Sequence, residues 1–167
     1  AFDNAGGFAN FGYYNSFSLS AWVNPSSPNG AIITKGKDIV EETGIGLALH
    51  DGKVRFNLVL RWLDDAIRVE TKEAIPLHQW RHILATYDGT RLATGVHVYI
   101  DGREAPLHIL VDELNQDFKT NEPWRIGGGA GKESLYSGLI DEVRIYGRPL
   151  SVNEAAMLAL RENLNQL

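Results

Sequence analysis

The stretch Gly138-Leu139-Ile140-Asp141-Glu142-Val143-Arg144-Ile145-Tyr146-Gly147-Arg148-Pro149-Leu150-Ser151 decides how this chain is built. Leu139, Asp141, Val143 and Ile145 alternate with Ile140, Glu142, Arg144 and Tyr146, the period of two that side chains follow along a strand. A Gly-Arg-Pro turn ends the strand, and Ser151-Val152-Asn153-Glu154 opens a helix: Ser151 accepts from the backbone three residues on while Glu154 reaches back, a capping box. The good helix formers Ala155, Ala156, Met157, Leu158, Ala159 and Leu160 follow. An all-β body closed by one short C-terminal helix is the expectation.

Working outward, the rest of the chain agrees. Phe17, Leu19, Ala21 and Val23 alternate with Ser16, Ser18, Ser20 and Trp22 up to Asn24-Pro25, and Ala31 to Lys35 reads as the next short strand. A polar loop from Gly36 to Gly44 follows. Asp51-Gly52 lies between the apolar runs Ile45–Leu49 and Val54–Leu60, a strong hairpin signal because both turn positions tolerate positive φ. In the second arm Val54, Phe56, Leu58 and Leu60 are expected in the core, with Arg55, Asn57, Val59 and Arg61 on the other face. Ala66–Glu70, Trp80–Tyr87, and Val96–Ile100 before Asp101-Gly102 continue the pattern. Pro106–Thr120 reads as a strand and then a surface loop, and Trp124-Arg125-Ile126 as a strand entering Gly127-Gly128-Gly129. So many short strands with Asp-Gly turns imply two antiparallel sheets packed face to face, a jelly-roll sandwich.

Composition narrows the function. The 167 residues, 44% of them hydrophobic, suit one domain spanning 1–167. A formal charge of −5, with acidic and basic residues scattered, supplies no basic stripe for a phosphate backbone, so nucleic acid is not an expected partner. There is no apolar run of about 18 residues for a membrane span, and the amino terminus shows no signal-peptide pattern; the chain is read as a mature or excised domain. With no Cys, disulfides and thiolate chemistry are excluded and the lean is bacterial.

Three segments carry a family resemblance. Ser16-Phe17-Ser18-Leu19-Ser20-Ala21-Trp22-Val23-Asn24-Pro25, Gln79-Trp80-Arg81-His82-Ile83-Leu84-Ala85-Thr86-Tyr87-Asp88-Gly89 and the closing strand together resemble the laminin-G-like branch of the concanavalin A-like lectin/glucanase superfamily. The resemblance implies the same two-sheet sandwich, with ligands bound on the concave side or by rim loops. Arg61-Trp62-Leu63-Asp64-Asp65-Ala66-Ile67, Leu77-His78-Gln79-Trp80 and Gly95–Gly102 further resemble laminin-G-like domains embedded in exported planctomycete multidomain proteins beside cytochrome-like modules. That likeness implies a periplasmic or cell-surface location and neighbouring domains of the same chain as partners.

Catalysis by paired carboxylates is not expected. Retaining glycosidases need two carboxyl groups about 5 to 5.5 Å apart, and glucanase relatives supply them as Glu-x-Asp-x-x-Glu. Here Leu139 stands where the first Glu belongs, Asp141 and Glu142 point to opposite faces of a regular strand, and Asp64-Asp65 and Glu41-Glu42 are adjacent pairs. None of His50, His78, His82, His97 and His108 forms a metal-binding motif; His82 is expected to be structural. The glycine-rich turn lacks the Lys-Ser/Thr of a phosphate loop.

Calcium is the expected ion, since the resemblance implies a site where the first strand meets the last. Asp3, in Phe2-Asp3-Asn4, and Asp141 would be its carboxylate ligands; the alternative is that Asp3 caps a turn and Asp141 accepts from a backbone N–H. Aromatic residues carry the binding hypothesis, because sugars stack their CH-rich faces on rings. Trp22 and Trp80 are assigned to packing. Trp62, flanked by Arg61 and Asp64 at a strand junction, is the candidate platform for a polysaccharide or other glycan, unless strand parity carries it to the core. Trp124 and Tyr136, around the glycine-rich turn, are expected to wall the site, while Tyr13 and Tyr14 are further loop aromatics. The sequence thus supports a non-catalytic carbohydrate-binding module, with a protein-interaction module as the runner-up and an unrecognised hydrolase or lyase third.

Overall fold

The computed structural model describes residues 9–165. The strands are β1 (Phe17–Pro25), β2 (Gly30–Lys35), β3 (Gly44–His50), β4 (Lys53–Arg61), β5 (Asp65–Ala74), β6 (Arg81–Tyr87), β7 (Val96–Ile100), β8 (Arg103–Glu104), β9 (Leu107–Asp112), β10 (Trp124–Ile126) and β11 (Gly138–Tyr146); α1 (Val152–Asn165) is the last described element. They form a five-stranded sheet, β11-β1-β6-β7-β8, and a six-stranded sheet, β10-β2-β3-β4-β5-β9, antiparallel throughout. The expected two-sheet sandwich is the observed fold.

The Asp-Gly signals act as expected. Asp51 and Gly52 have φ of 50° and 77°, and Asp101 and Gly102 of 50° and 79°, so both turn positions adopt the left-handed conformation that a tight hairpin needs. Across a ladder, paired residues share a face. Ile33, Leu47, Phe56 and Val69 form one such row across β2 to β5, and Ile45, Leu58 and Ile67 another; all are buried against the opposite sheet. Phe17 from the other sheet meets Phe56 edge to face at a ring-centroid distance of 6.1 Å, and Tyr87, its partner on β6, lies edge to face with it at 5.8 Å. Trp124 belongs to this core as well.

The closing strand departs from simple alternation. Ser20 pairs with Arg144 but Trp22 with Asp141, so Glu142 and Val143 together oppose Ala21, a β-bulge with Glu142 at φ 53°. One extra residue shifts the phase of the pleat. Ile140, Val143 and Ile145 therefore all pack on the core, while Leu139, expected to share a side with Val143, is exposed.

The helix begins as its capping box predicts: Glu154 N donates to Ser151 Oγ at 3.2 Å and Ser151 N to a Glu154 carboxylate oxygen at 3.3 Å. Leu150 and Ala155 bury against Leu84 and Tyr99 on the outer side of the five-stranded sheet. On that same side lies His82, 1% exposed, its ring centroid 5.3 Å from that of Trp22. Burial first, and the charge of Arg144 second, hold the His82 imidazole down at about 4.

An unfolded histidine binds its proton near pH 6.5, whereas His82 in the fold does so only near 4, so the unfolded state takes up protons first as pH falls. Stability should therefore drop between pH 6.5 and 4. Urea titrations at pH 7 and 4.5 should show wild type losing about 2 kcal/mol more than His82→Gln between the two; equal losses would contradict the assignment.

Candidate functional site

The outer face of the six-stranded sheet is unusual in burying polar side chains. Its central row, paired strand to strand, is Thr34, Gly46, Asn57 and Arg68, and the next row includes Ala48, Arg55 and Glu70. Polar residues at alternate positions of a strand ordinarily face water. Here Asn57 is 2% exposed, while Arg68 and Glu70 are each 8% exposed.

The cover comes from the loop between β2 and β3. Glu42 folds back over β3, where Gly46 leaves the room: a Cβ at that position would lie 2.7 Å from Glu42 Oε1. Asn57 Nδ2 donates to the same carboxylate oxygen at 2.9 Å. Burial pushes the Glu42 carboxyl above the usual carboxylate range, against the hydrogen bond from Asn57 and the charges of Arg68 and Arg55. Glu70 shows the opposite outcome. Burial pushes it up, but the hydrogen bond and charge of Arg55 and the charge of Lys53 outweigh that and hold it low. Arg55 Nε meets Glu70 Oε2 at 2.6 Å and Lys53 Nζ lies 3.7 Å from the other oxygen.

Two groups on this face have no hydrogen-bond partner among the described residues: Asn57 Oδ1, an acceptor, and Arg68 Nε, a donor. Arg68 lies with its guanidinium 3.5 Å from the Trp62 ring centroid and donates through a terminal nitrogen to the Trp62 carbonyl at 3.4 Å. Desolvation lowers its affinity for its proton, and Arg55 adds to that. Burial without a partner costs free energy, which a water or a ligand reaching these groups would recover.

The residues singled out from sequence fall into two groups. Arg61, Trp62 and Asp64 come together at the β4–β5 turn, beside this face: β4 ends at Arg61, so Trp62 does not continue to the core side. Trp62 is half-buried with one ring face under the Arg68 guanidinium, and Arg61 Nε donates to Asp64 Oδ1 at 2.8 Å. Arg61 also approaches Asp65, at 3.9 Å, whose other oxygen accepts from the backbone of Asn115 and Gln116.

Trp124 and Tyr136 do not join them. Trp124 is 5% exposed because it pairs with Lys35, whose side chain also points inward, so it packs the core instead of walling a site. Tyr136 is half-buried between β10 and β11, with its hydroxyl donating to the Leu139 carbonyl; burial raises it to about 12. β2 and β3 separate β10 from β4. Asp3 lies outside the described residues. Asp141 Oδ1 accepts from Glu142 N at 2.8 Å, and among the described residues no three His, Asp or Glu side chains gather as a metal site.

A family model, laminin G of the concanavalin A-like lectin/glucanases superfamily, matches residues 5–156. The chain belongs to that superfamily. Among solved structures, this laminin G domain resembles the binding domain of Paraclostridial Mosquitocidal Protein 1, at 19% identity and a TM-score of 0.67, covering 92% of this chain and 38% of that one. It also resembles the CBM40 domain of the Ruminococcus gnavus IT-sialidase bound to α2,3-sialyllactose, at 13% identity and a TM-score of 0.67, covering 87% of this chain and 83% of that one. A third is domain 4 of an extracellular arabinanase from Geobacillus stearothermophilus in complex with arabinotriose, at 22% identity and a TM-score of 0.56, covering 87% and 66%. These likenesses show the shared sandwich. The chain spans less than half of the first of these structures.

Glu42, Asn57, Arg68 and Glu70 were not singled out by sequence reasoning. The available signal was the small-residue alternation Gly44, Gly46, Ala48 beside Arg55 and Asn57, which leaves a trough next to polar side chains. Asn57→Leu tests the cover directly: it strands the Glu42 carboxylate, and chemical denaturation at pH 7 should show a loss of about 1–3 kcal/mol. The deficit should narrow towards pH 4.5 as the raised Glu42 carboxyl takes up its proton.

Proposed function

We propose that the domain is a non-catalytic carbohydrate-binding module and that the outer face of the six-stranded sheet recognises the glycan. The observation that carries this reading is the pair of unpartnered, buried groups on one face, Asn57 Oδ1 and Arg68 Nε. A hydroxyl both donates and accepts, so a sugar has the chemistry to complete each of these bonds, which an aliphatic ligand lacks. Trp62, already fixed by Arg68, supplies apolar surface at the margin, and Arg61 and Asp64 are polar groups beside it. Two structures sharing the fold hold a bound oligosaccharide, which supports the same class of ligand.

The non-catalytic part of the reading rests on how the two carboxylates of the face are engaged. Glu42 is held by Asn57, and Glu70 by Arg55 and Lys53. Carboxylates so engaged support binding over cleavage of a glycosidic bond. A structure sharing the fold, the binding domain of Botulinum neurotoxin DC in complex with rat synaptotagmin II, at 16% identity and a TM-score of 0.61, favours the second reading, a protein-interaction module. An exported bacterial parent protein with neighbouring domains fits either one.

Affinity electrophoresis through gels containing arabinan, xylan, mixed-linkage β-glucan, galactomannan or polygalacturonate tests the proposal. Retardation by at least one polysaccharide, weakened about tenfold in Arg68→Ala, is the expected result. A folded protein retarded by none of them would favour the interaction module, and release of reducing ends would return the enzyme to consideration.

Calcium bound through Asp3 and Asp141 is a separate part of the proposal. An ion that binds only the folded state must raise the thermal midpoint. The midpoint should rise with millimolar CaCl2, fall back with EDTA, and not respond in Asp141→Ala; no response in wild type removes calcium from the account.

A further inference from the structure

At one end of the sandwich, Tyr14, Arg91, Leu92, Asp112, Glu113 and Asn115 line a cavity of about 350 Å³, larger than those beside α1 (about 130 Å³) and near β8 (about 210 Å³). We propose that this cavity is a second glycan subsite, taking a neutral sugar ring of a chain whose other residues lie on the sheet face. The proposal rests on the glycan reading above and extends it from a single sugar to a polysaccharide.

Tyr14 is 66% exposed, although a large ring ordinarily covers its face. It is nonetheless held in place. Its hydroxyl accepts from an Arg91 terminal nitrogen at 3.3 Å, and the Arg91 guanidinium lies 5.7 Å from its ring centroid and 5.1 Å from that of Tyr13. Gly89 lets this segment approach the β6–β7 connection, since a Cβ there would lie 2.6 Å from the Tyr14 carbonyl oxygen. An exposed ring held in a fixed orientation loses little freedom when a sugar stacks on it.

The polar groups around the ring match a diol. Arg91 also donates to the Leu114 and Asn115 carbonyls, each at 3.2 Å, which leaves one N–H on each terminal nitrogen to spare. Its backbone is in the left-handed region, φ 64°, a conformation that clusters where a side chain must be aimed. Asp112 and Glu113 supply carboxylates, with one Asp112 oxygen accepting from Ala93 N at 2.8 Å. One cation between two carboxylates favours hydroxyls and repels an acidic sugar, so the ring is a neutral one.

The cavity also adjoins the sheet-face site. Asp65 takes the backbone N–H of Asn115, which lines the cavity, while its other oxygen faces Arg61 next to Trp62. A chain of several sugars running over the β4–β5 turn would meet both places.

The same gels distinguish this proposal from the one on which it rests. Retardation by a neutral polysaccharide should weaken about fivefold in Tyr14→Ala, stay near wild type in Tyr14→Phe, which keeps the ring, and weaken further in Tyr14→Ala/Arg68→Ala. Wild-type retardation of Tyr14→Ala, with loss in Arg68→Ala, overturns the cavity subsite and leaves the sheet face standing. Loss in Tyr14→Ala with none in Arg68→Ala upholds the cavity and overturns the sheet face. Retardation by polygalacturonate alone, or by nothing, overturns the neutral-sugar subsite.

Discussion

The contact on which the rest of the structure depends is Phe17 against Phe56 across the two sheets, at a centroid distance of 6.1 Å, with Tyr87 beside Phe17 in the same sheet at 5.8 Å. Edge-to-face rings of this size set how the sheets lie against each other, and the aliphatic rows of β2 to β5 fill in around them. Once those rows face inward, the pleat leaves no choice about the other side. Asn57, Arg68, Arg55 and Glu70 must share the outer face of the six-stranded sheet.

That face is therefore a by-product of core register with a chemistry of its own. Its groups are satisfied mostly by one another, through Glu42 with Asn57 and Glu70 with Arg55; burial raises the Glu42 carboxyl, while Arg55 and Lys53 hold that of Glu70 low. What remains unsatisfied is small and specific: one acceptor and one donor. A polar cluster that is nearly complete is rigid, and rigid polar groups lose little freedom when a ligand supplies the missing bonds.

Much of the fold is legible in the sequence because its signals are local. Asp51-Gly52 and Asp101-Gly102 announce their hairpins, and Ser151 with Glu154 announces the helix start, within a few residues of each other. The β4–β5 turn residues Arg61, Trp62 and Asp64 are likewise found together, since they are neighbours in the chain. What is not legible is long-range. The bulge at Glu142 depends on the register with Ala21, the burial of Trp124 on its pairing with Lys35, and the placement of Glu42 on the hollow above Gly46. Arg68 over Trp62 joins two strands across a turn, which a strand-by-strand alternation does not reveal.

Glycan recognition on the sheet face turns on Arg68. Its side-chain Nε–H resonance, followed by ¹H–¹⁵N NMR while the protein is titrated with oligosaccharides of the polysaccharide that retains it, reports on the buried donor that this sheet face leaves without a partner among the described residues. A saturable downfield shift of that resonance, as a sugar oxygen closes the bond, is the predicted result. Saturation of binding with the Arg68 resonance unmoved would contradict it.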